Sequence, residues 1–374
     1  MGGWRYLAQR LTGEGDDGEL LDVDLPLNDV SLTDVLSGPT QLSGTIEPSF
    51  SKLMVGGAPL LNEWGTAIYA EEDGNIIGGA ILTASGFVGP KWSLDCMGFS
   101  GYLYDMPYLG SWFGVEIDPL DVVREMWTHA QGQPSGDLGM IVSSLDTGLK
   151  IGVELEQVEF DTESGPISFE SGPVKLNWWQ THDLGGEMDK LAKETPFDYH
   201  ERHQWEGDTI KHYLDFAYPR MGRRHNQLRF VAGENVHVVP SVDRNGDDYA
   251  SEILALGAGE GRTMKMAQLR RSTGRLRRVG IVEDKSARSL KAVQSVAATD
   301  MAWRKNLDVV SEIILVDHPH APMGSVKPGD EIYLEGRLDW MELGVWVRVL
   351  STTLQPANGN AMTLAVTPAD RVAG

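Results

Sequence analysis

The chain has 374 residues and a mass of 41.0 kDa, which exceeds the usual size of one domain and predicts two to four domains. Hydrophobic residues make up 41% and charged residues 23%, a balance that supplies enough apolar surface for folding and excludes a largely disordered chain. The formal net charge is -22, and residues 1–200 carry 32 acidic against 9 basic side chains. Repulsion therefore disfavours ordinary DNA or RNA binding by that half.

The single cysteine, Cys96, excludes an internal disulfide framework and any zinc site built from several cysteines. The first 21 residues contain no apolar run of the length found in secretory signals. We therefore expect neither a signal peptide nor a membrane span, and we expect synthesis in a cytoplasm.

Residues 1–117 have the pattern of a β domain. Two apolar stretches between Trp64 and Thr83 flank Asp73-Gly74, a dipeptide that predicts a hairpin turn. A further strand is expected from Trp92 to Cys96, followed by an aromatic, glycine-rich loop. This composition is typical of a small barrel.

Residues 118–205 predict an α/β insert. Asp118 can accept hydrogen bonds from the first free helical amides and Pro119 suits the first helical position, so a helix is expected over 119–130. Strands are predicted over 150–160 and 166–178, and a short helix near 186–193.

Residues 206–310 predict a second β-rich domain with one helix. Asn245-Gly246 favours a hairpin between strands within 228–256. Ser286 can cap a helix near 286–304 whose buried stripe would contain Leu290, Val293, Ala297 and Met301. Residues 311–374, where valines alternate between 345 and 349, predict a small C-terminal β domain.

A basic run without any acidic residue extends from 262 to 278. It could bind phosphate, but charge runs more often mark a solvated hairpin or a contact with acidic neighbours, and we favour a subunit interface. The candidate interface residues are Arg262, Lys265, Arg270, Arg271, Arg275, Arg277 and Arg278.

The motifs for catalysis and cofactor binding are incomplete. The stretch GAGEGR at 257–262 has Arg262 where a dinucleotide fingerprint requires Gly or Ala. Asp243, Asn245 and Asp247 are spaced like the start of a calcium loop, but Leu254 occupies the position of its final Glu, so we favour a turn. With no GxSxG, P-loop or HExxH signature either, we predict no catalytic residue, no cofactor and no metal.

Two further groups leave alternatives open. His318-Pro319-His320 and the pair Glu201 and His203 could be metal ligands, but we favour polar surface or interface positions. Trp178-Trp179 and the aromatic residues between 102 and 112 could form a sugar platform or could pack in a core or interface, and we favour an interface. That aromatic group contains Tyr102, Tyr104, Tyr108 and Trp112.

Several stretches, taken in order, resemble the minor tail proteins of long-tailed phages that infect actinobacteria. They include MGGWRYLAQRLTGEGDDGELLDVDLPLNDVSLTDVLSGP, LNEWGTAIYAEEDGNIIGGAIL and WSLDCMGFSGYLYDMPY in the first third of the chain. Later come DTIKHYLDFAYPRMGRRHNQLRFVAGENV, NGDDYASEILALGAGEG, TGRLRRVGIVEDK and DHPHAPMGSVKPGDEIYLEG. The similarity extends over nearly the whole chain and depends on the number and order of these stretches.

The resemblance implies a noncatalytic tail-hub protein, similar to the baseplate hub of contractile-tailed phages. Such a protein is a β-rich α+β homotrimer with two tube-type β-barrel domains per subunit, which form a ring of six. The ring adapts the sixfold tail tube to threefold tip proteins at the distal end of the virion tail and gates genome ejection.

The implied partners are the distal tail protein, other minor tail, tip or fibre proteins, the tape measure protein, and DNA in transit through the channel. An acidic first half and a basic run in the second half are compatible with head-to-tail contacts around a ring. An acidic channel wall would also let DNA slide without binding. The alternative function is a glycan-binding or glycan-hydrolysing tail-tip protein.

Overall fold

A computed structural model describes most of the chain. The described residues are 3–15, 18–152, 156–162, 165–171, 173–195, 197–236, 242–244, 249–259, 261–272, 274–284, 287, 289–304, 308–338, 341–358 and 361–369. By the density of internal contacts the chain divides into two compact units. Unit 1 contains residues 1–221 and 353–359, and unit 2 contains residues 222–352 and 360–374.

The strands of unit 1 lie between residues 4 and 217. They are β1 (Trp4–Arg10), β2 (Leu20–Asp22), β3 (Asn28–Val35), β4 (Gln41–Ile46), β5 (Met54–Val55), β6 (Ala58–Pro59), β7 (Thr66–Glu72), β8 (Asn75–Val88), β9 (Lys91–Met97), β10 (Ser111–Gly114), β11 (Met140–Val142), β12 (Glu156–Thr162), β13 (Gly165–Ser171), β14 (Val174–Asn177), β15 (Asp198–Glu206) and β16 (Thr209–Ala217).

Seven of these strands form one antiparallel sheet in the order β3-β4-β9-β8-β7-β1-β2. The predicted hairpin is confirmed, since β7 and β8 pair up to Glu72 and Asn75. Asp73 and Gly74 both adopt positive φ, at 49° and 86°, as a two-residue hairpin turn of this type requires. The strand predicted at 92–96 is also present, as β9.

The centre of this sheet is buried on both faces. Leu7, Tyr69 and Ile81 point into one apolar core, whereas Ala8 and Ile68 point into a second core on the opposite face. Alternate residues of a strand face opposite sides of the sheet. Because these strands are apolar on both sides, other elements must pack against both faces of the sheet. The first core also contains residues of two helices and of the hairpin β15-β16.

The helices of unit 1 begin where the sequence predicts them. Helix α1 (Pro119–Gln131) has Asp118 as its N-cap, whose carboxylate accepts a hydrogen bond from the Leu120 amide at 2.9 Å. Helix α2 (Leu184–Glu194) is capped by Asp183, which accepts from the Gly186 amide. Trp127 of α1 is fully buried and packs in the first core.

Unit 2 contains shorter sheets and one helix. Its strands are β17 (Phe230–Val231), β18 (Val242–Arg244), β19 (Glu252–Leu256), β20 (Met266–Arg270), β21 (Val279–Glu283), β22 (Asp308–Val310), β23 (Glu312–Val316), β24 (Glu331–Leu338), β25 (Met341–Leu354) and β26 (Ala361–Pro368), and its helix is α3 (Leu290–Arg304). One sheet has the order β17-β24-β25-β26-β23. The valines that alternate in the sequence lie on β25, where Val347 and Val349 are buried.

The predicted hairpin around Asn245-Gly246 is wrong. Strand β18, before the turn, pairs with β22, and Val242 lies opposite Val310. Strand β19, after the turn, pairs antiparallel with β20 and parallel with β21. The two strands therefore join different sheets, and both edges of β19 are taken by β20 and β21. Residues 245–248 themselves lie outside the described residues, so the proposed calcium loop does as well.

The architecture is β-rich α+β with several sheets. The two tube-type barrels, and the division into 1–117, 118–205, 206–310 and 311–374, stay predictions. Among the described residues, no helix combines the length and apolarity needed to cross a bilayer.

Candidate functional site

The basic run lies on the sheet formed by β20, β19 and β21 in unit 2. One face of this sheet is covered by α3: Ile253 and Ala267 pack in a core with Val293, Ala297 and Met301 of the helix. These three helical residues confirm most of the predicted stripe, but Leu290 is exposed. The opposite face, which we call the open face, has no such helix among the described residues.

Large apolar side chains lie on the open face and its edge. Met266, Val279 and Ile281 are 43–59% exposed. Met266 pairs with Leu256 and Ile281 pairs with Leu254. Because alternate residues of β19 face opposite sides, these side chains lie on the face opposite Ile253. Leu276, in the connection from β20 to β21, is 88% exposed. A contiguous set of exposed aliphatic side chains is typical of a protein interface.

The structure groups most of the basic run around this face. Lys265 directly precedes β20 and Arg270 ends it, while Arg271, Arg275, Arg277 and Arg278 lie in the connection to β21. All six side chains are exposed, and the Arg262 side chain lies outside the described residues. A cavity of about 460 Å³ is lined by Ser251, Arg270, Arg271, Ser272, Gly274, Arg275 and Arg277.

A buried carboxylate organises the basic run. Glu252 of β19 is 2% exposed and accepts hydrogen bonds from Arg277 Nε and Nη2 at 2.7 and 2.8 Å and from the Gln268 amide. Arg270 Nε lies 4.0 Å from the same carboxylate. The Arg277 and Gln268 hydrogen bonds lower the pKa of Glu252 to about 2. The carboxylate is therefore ionised at neutral pH and fixes Arg277 against the sheet while the arginine's outer surface stays exposed.

The remaining basic residues are positioned differently. The Arg275 guanidinium lies 5.5 Å from the centre of the Tyr249 ring, within the range of a cation–π contact. Arg271 lies at the mouth of the same cavity. The site thus combines a fixed arginine, exposed cations and exposed aliphatic groups, which suits an acidic protein surface better than a small anion.

Unit 1 has a second exposed surface, which is aromatic. Strands β10 and β14 pair so that Trp112 lies opposite Leu176, and a cavity of about 780 Å³ opens beside them. Phe113, Trp178 and Trp179 are exposed by 51–69%, and the two tryptophan rings meet edge to face at 5.4 Å.

The tyrosines predicted to accompany these tryptophans are structural. Tyr108 is buried, donates its hydroxyl to Glu125 and stacks on His129. Tyr104 donates to Asp189, and Tyr102 and Trp112 are partly buried against the first core. Only the exposed aromatic residues, therefore, stay available for a partner.

The pair Glu201 and His203 shares one face of β15, as predicted, but both side chains are buried and engaged. Glu201 accepts hydrogen bonds from the Thr40 and Ser100 amides at 2.6 and 2.7 Å. The Nδ1 atoms of His203 and His212 are 3.0 Å apart. The Glu201 hydrogen bonds tie the hairpin β15-β16 to the segments at Thr40 and Ser100 within unit 1.

The stretch GAGEGR follows β19 and leads through a short 3-10 turn into the antiparallel strand β20. A dinucleotide fingerprint requires a helix there, so these glycines serve the turn: Gly259 has φ of 112°.

No family model matches the chain, and no curated protein sequence matches it. Solved structures do match, over almost the whole length. The 43 kDa tail protein of prophage MuSo2 from Shewanella oneidensis is 11% identical, with a TM-score of 0.62, and the match covers 99% of this chain and 100% of that one. The fold is that of phage tail proteins.

Two further tail proteins support this assignment of fold. The tail protein of Neisseria meningitidis MC58 is 15% identical with a TM-score of 0.57, and 98% of each chain is covered. A prophage tail protein of Listeria monocytogenes EGD-e is 8% identical with a TM-score of 0.58, covering 97% of this chain and 94% of that chain. At such identities the comparison shows a shared fold and no more.

Proposed function

We propose that the chain is a noncatalytic structural protein of a phage virion and forms the trimeric hub at the tail tip. The observation that carries this proposal is the match in fold to three phage tail proteins over at least 97% of the chain.

In this proposal, each subunit contributes two tube-type β-barrels to a ring of six. The strands for these two barrels would come from the seven-stranded sheet of unit 1 and from the sheet β17-β24-β25-β26-β23 of unit 2. Three copies then present threefold symmetry to the tip and sixfold symmetry to the tail tube, as in the hub of contractile-tailed phages. The resemblance to tail proteins of actinobacterial phages gives the proposed host group.

The open face of β20-β19-β21 is the proposed contact with a neighbouring copy. It offers exposed cations beside exposed aliphatic side chains, and residues 1–200 of the neighbour carry 32 acidic against 9 basic side chains. Opposite charges on different patches favour a head-to-tail contact, which closes into a ring.

The remaining proposed contacts follow from the position at the distal end of the tail. They are the distal tail protein, other minor tail, tip or fibre proteins, and the tape measure protein. The acidic half repels DNA, so DNA would pass the hub during ejection without being retained.

Immunogold electron microscopy of the phage particles tests the position. Antibodies against the purified chain should label the distal tip of the tail in most particles, and particles assembled without the gene should lack both the label and normal tips. Label along the tail tube, on the capsid, or on no particle would contradict the proposal.

A second candidate function rests on the exposed pair Trp178 and Trp179. Exposed aromatic rings beside amide side chains, here Asn177 and Gln180, are suited to stacking on sugar rings. Incubation of the purified chain with cell-wall glycan separates the alternatives: turnover supports a hydrolase, retention without turnover supports a glycan binder, and neither supports the hub.

A further inference from the structure

Two surface turns of unit 2 bring together three side chains that are far apart in the sequence. Glu234 lies in the turn after β17, and His318 and His320 lie in the turn after β23. One potential ligand atom from each residue lies within 4.8 Å of the others. Each side chain is 28–49% exposed, so an ion from solvent can reach the group.

The backbone holds these two turns against each other. Buried Asn235 accepts a hydrogen bond from the Val231 amide and donates one to the Arg229 carbonyl, at 2.8 and 2.7 Å. The Asn235 carbonyl accepts from the Val316 amide at 2.9 Å. These hydrogen bonds fix the turn, so Glu234 is held next to the end of β23.

The histidine turn is tied in the same way. The His318 carbonyl accepts from the Ala321 amide at 2.9 Å, and the His320 carbonyl accepts from the Arg229 amide at 3.3 Å. Pro319 restricts φ between the two histidines. Both rings can thus approach Glu234 from one short segment, and little ordering is required when an ion binds.

The distances fit a small divalent ion. With bonds of about 2.0–2.1 Å to nitrogen and oxygen, two ligands of a tetrahedral zinc ion are separated by about 3.3 Å. Glu234 Oε1 lies 3.2 Å from His320 Nδ1 and 3.7 Å from His318 Nε2. Two imidazoles with one carboxylate form a donor set that suits Zn²⁺ better than the harder Ca²⁺ or Mg²⁺.

We propose that Glu234, His318 and His320 form a surface site for a zinc-class divalent cation, with a fourth position open to water. This site is independent of the hub proposal, because it requires only unit 2.

One hydrogen bond changes when the ion binds. The His320 amide donates to His318 Nδ1 at 3.2 Å, so the neutral ring carries its proton on Nε2. Coordination through Nε2 requires the tautomer with the proton on Nδ1, so the hydrogen bond from the His320 amide would be lost. Both residues are partly exposed, so water can replace it.

Zn²⁺ titration of the untagged full chain by isothermal calorimetry, after removal of metal with a chelator, tests the site. We expect one equivalent to bind with Kd below about 10 µM. Glu234→Gln, His318→Gln and His320→Gln should each weaken binding at least about tenfold. His182→Gln, at an exposed histidine of unit 1, is the matched control and should leave the titration unchanged.

Co²⁺ titration provides a readout that does not depend on the variants. Bound Co²⁺ should show the intense visible bands of a low-coordinate N/O site in the wild-type chain and lose them in His318→Gln/His320→Gln. Equal metal-free melting temperatures show that the variants are folded. Absence of binding up to about 100 µM Zn²⁺, or equal binding by the double variant, would overturn the proposal.

Discussion

Glu252 and His203 are buried ionisable side chains whose surroundings predict how the stability of the protein depends on pH. Arg277 and Gln268 stabilise the ionised form of Glu252 by hydrogen bonds. His203 is held in the neutral form by burial. In both cases the folded chain binds its proton less readily than the unfolded chain does, so both residues make the protein less stable in acid.

Glu252→Gln should lower the free energy of unfolding at pH 7, because it replaces the ionised partner of Arg277 with a neutral one. The pKa of Glu252 is about 2 in the folded chain against an ordinary value of 4.5. The stabilisation is therefore complete above pH 4.5 and is lost as the pH falls toward 2. Urea unfolding between pH 7 and pH 3 measures this, with exposed Glu312→Gln as the control. A difference from wild type that does not shrink in acid would contradict the assignment.

His203→Asn should weaken the pH dependence of stability between pH 7 and pH 5. Burial and the neighbouring His212 hold the pKa of His203 well below its ordinary 6.5, so the unfolded chain alone takes up this proton below pH 6.5. That uptake lowers the free energy of unfolding by up to about 1.4 kcal/mol per pH unit. The exposed control His182→Asn should keep the wild-type slope, and equal slopes in all three proteins would exclude the role of His203.

At the scale of single elements, helix α1 shows how much one capping residue can organise. Buried Asp118 caps the helix through the Leu120 amide and also accepts hydrogen bonds from the Thr147 amide, the Thr147 hydroxyl and the Gly148 amide. One carboxylate therefore fixes both the start of α1 and the loop at 147–148.

Asp118→Ala should destabilise unit 1 by about 2–3 kcal/mol, since the cap alone contributes about 1 kcal/mol and the other donors lose a buried acceptor. Asp121→Ala is the matched control on the same helix turn, because Asp121 is half exposed and pairs with Arg124. A surface pair of this kind contributes at most about 1 kcal/mol. Chemical denaturation measures the free energy of unfolding of both variants. Equal losses would contradict the special role of Asp118.

The sheet β20-β19-β21 is the element on which self-assembly depends in this account. Arg271→Glu/Arg275→Glu should weaken self-association at least about tenfold and make the remaining association less sensitive to salt. Both arginines are exposed, so the variant should stay folded, with a far-ultraviolet circular dichroism spectrum equal to that of the wild-type chain. The control Lys291→Glu reverses an exposed charge on α3, which covers the other face of this sheet, and should leave association intact. Analytical ultracentrifugation measures the result, and unchanged association of the arginine variant would remove the open face from the interface.

At the scale of the whole molecule, the sequence predicts those turns and helix starts that are determined by residues adjacent in the chain. Asp73-Gly74 and Asp118-Pro119 act through local backbone geometry, so the hairpin and helix they predict are present. The hairpin at Asn245-Gly246 is absent because β18 and β22, whose pairing joins Val242 to Val310, are brought together by the fold. No local pattern carries that information.

Only part of the candidate site can be predicted from the sequence. The basic run is visible in the sequence, but its anchor Glu252 and the aliphatic open face become apparent only when β19 is placed between β20 and β21. Glu234 lies 84 residues before His318, so nothing in the spacing could have joined them.

In the proposed function, these chains work by assembling with copies of themselves and with other tail proteins. Native mass spectrometry of the purified chain over about 1–100 µM tests it most directly, since a ring interface of standard size gives dissociation constants within or below that range. We expect a closed trimer of three 41.0 kDa chains, about 123 kDa. A mass of 41.0 kDa at every concentration would contradict it.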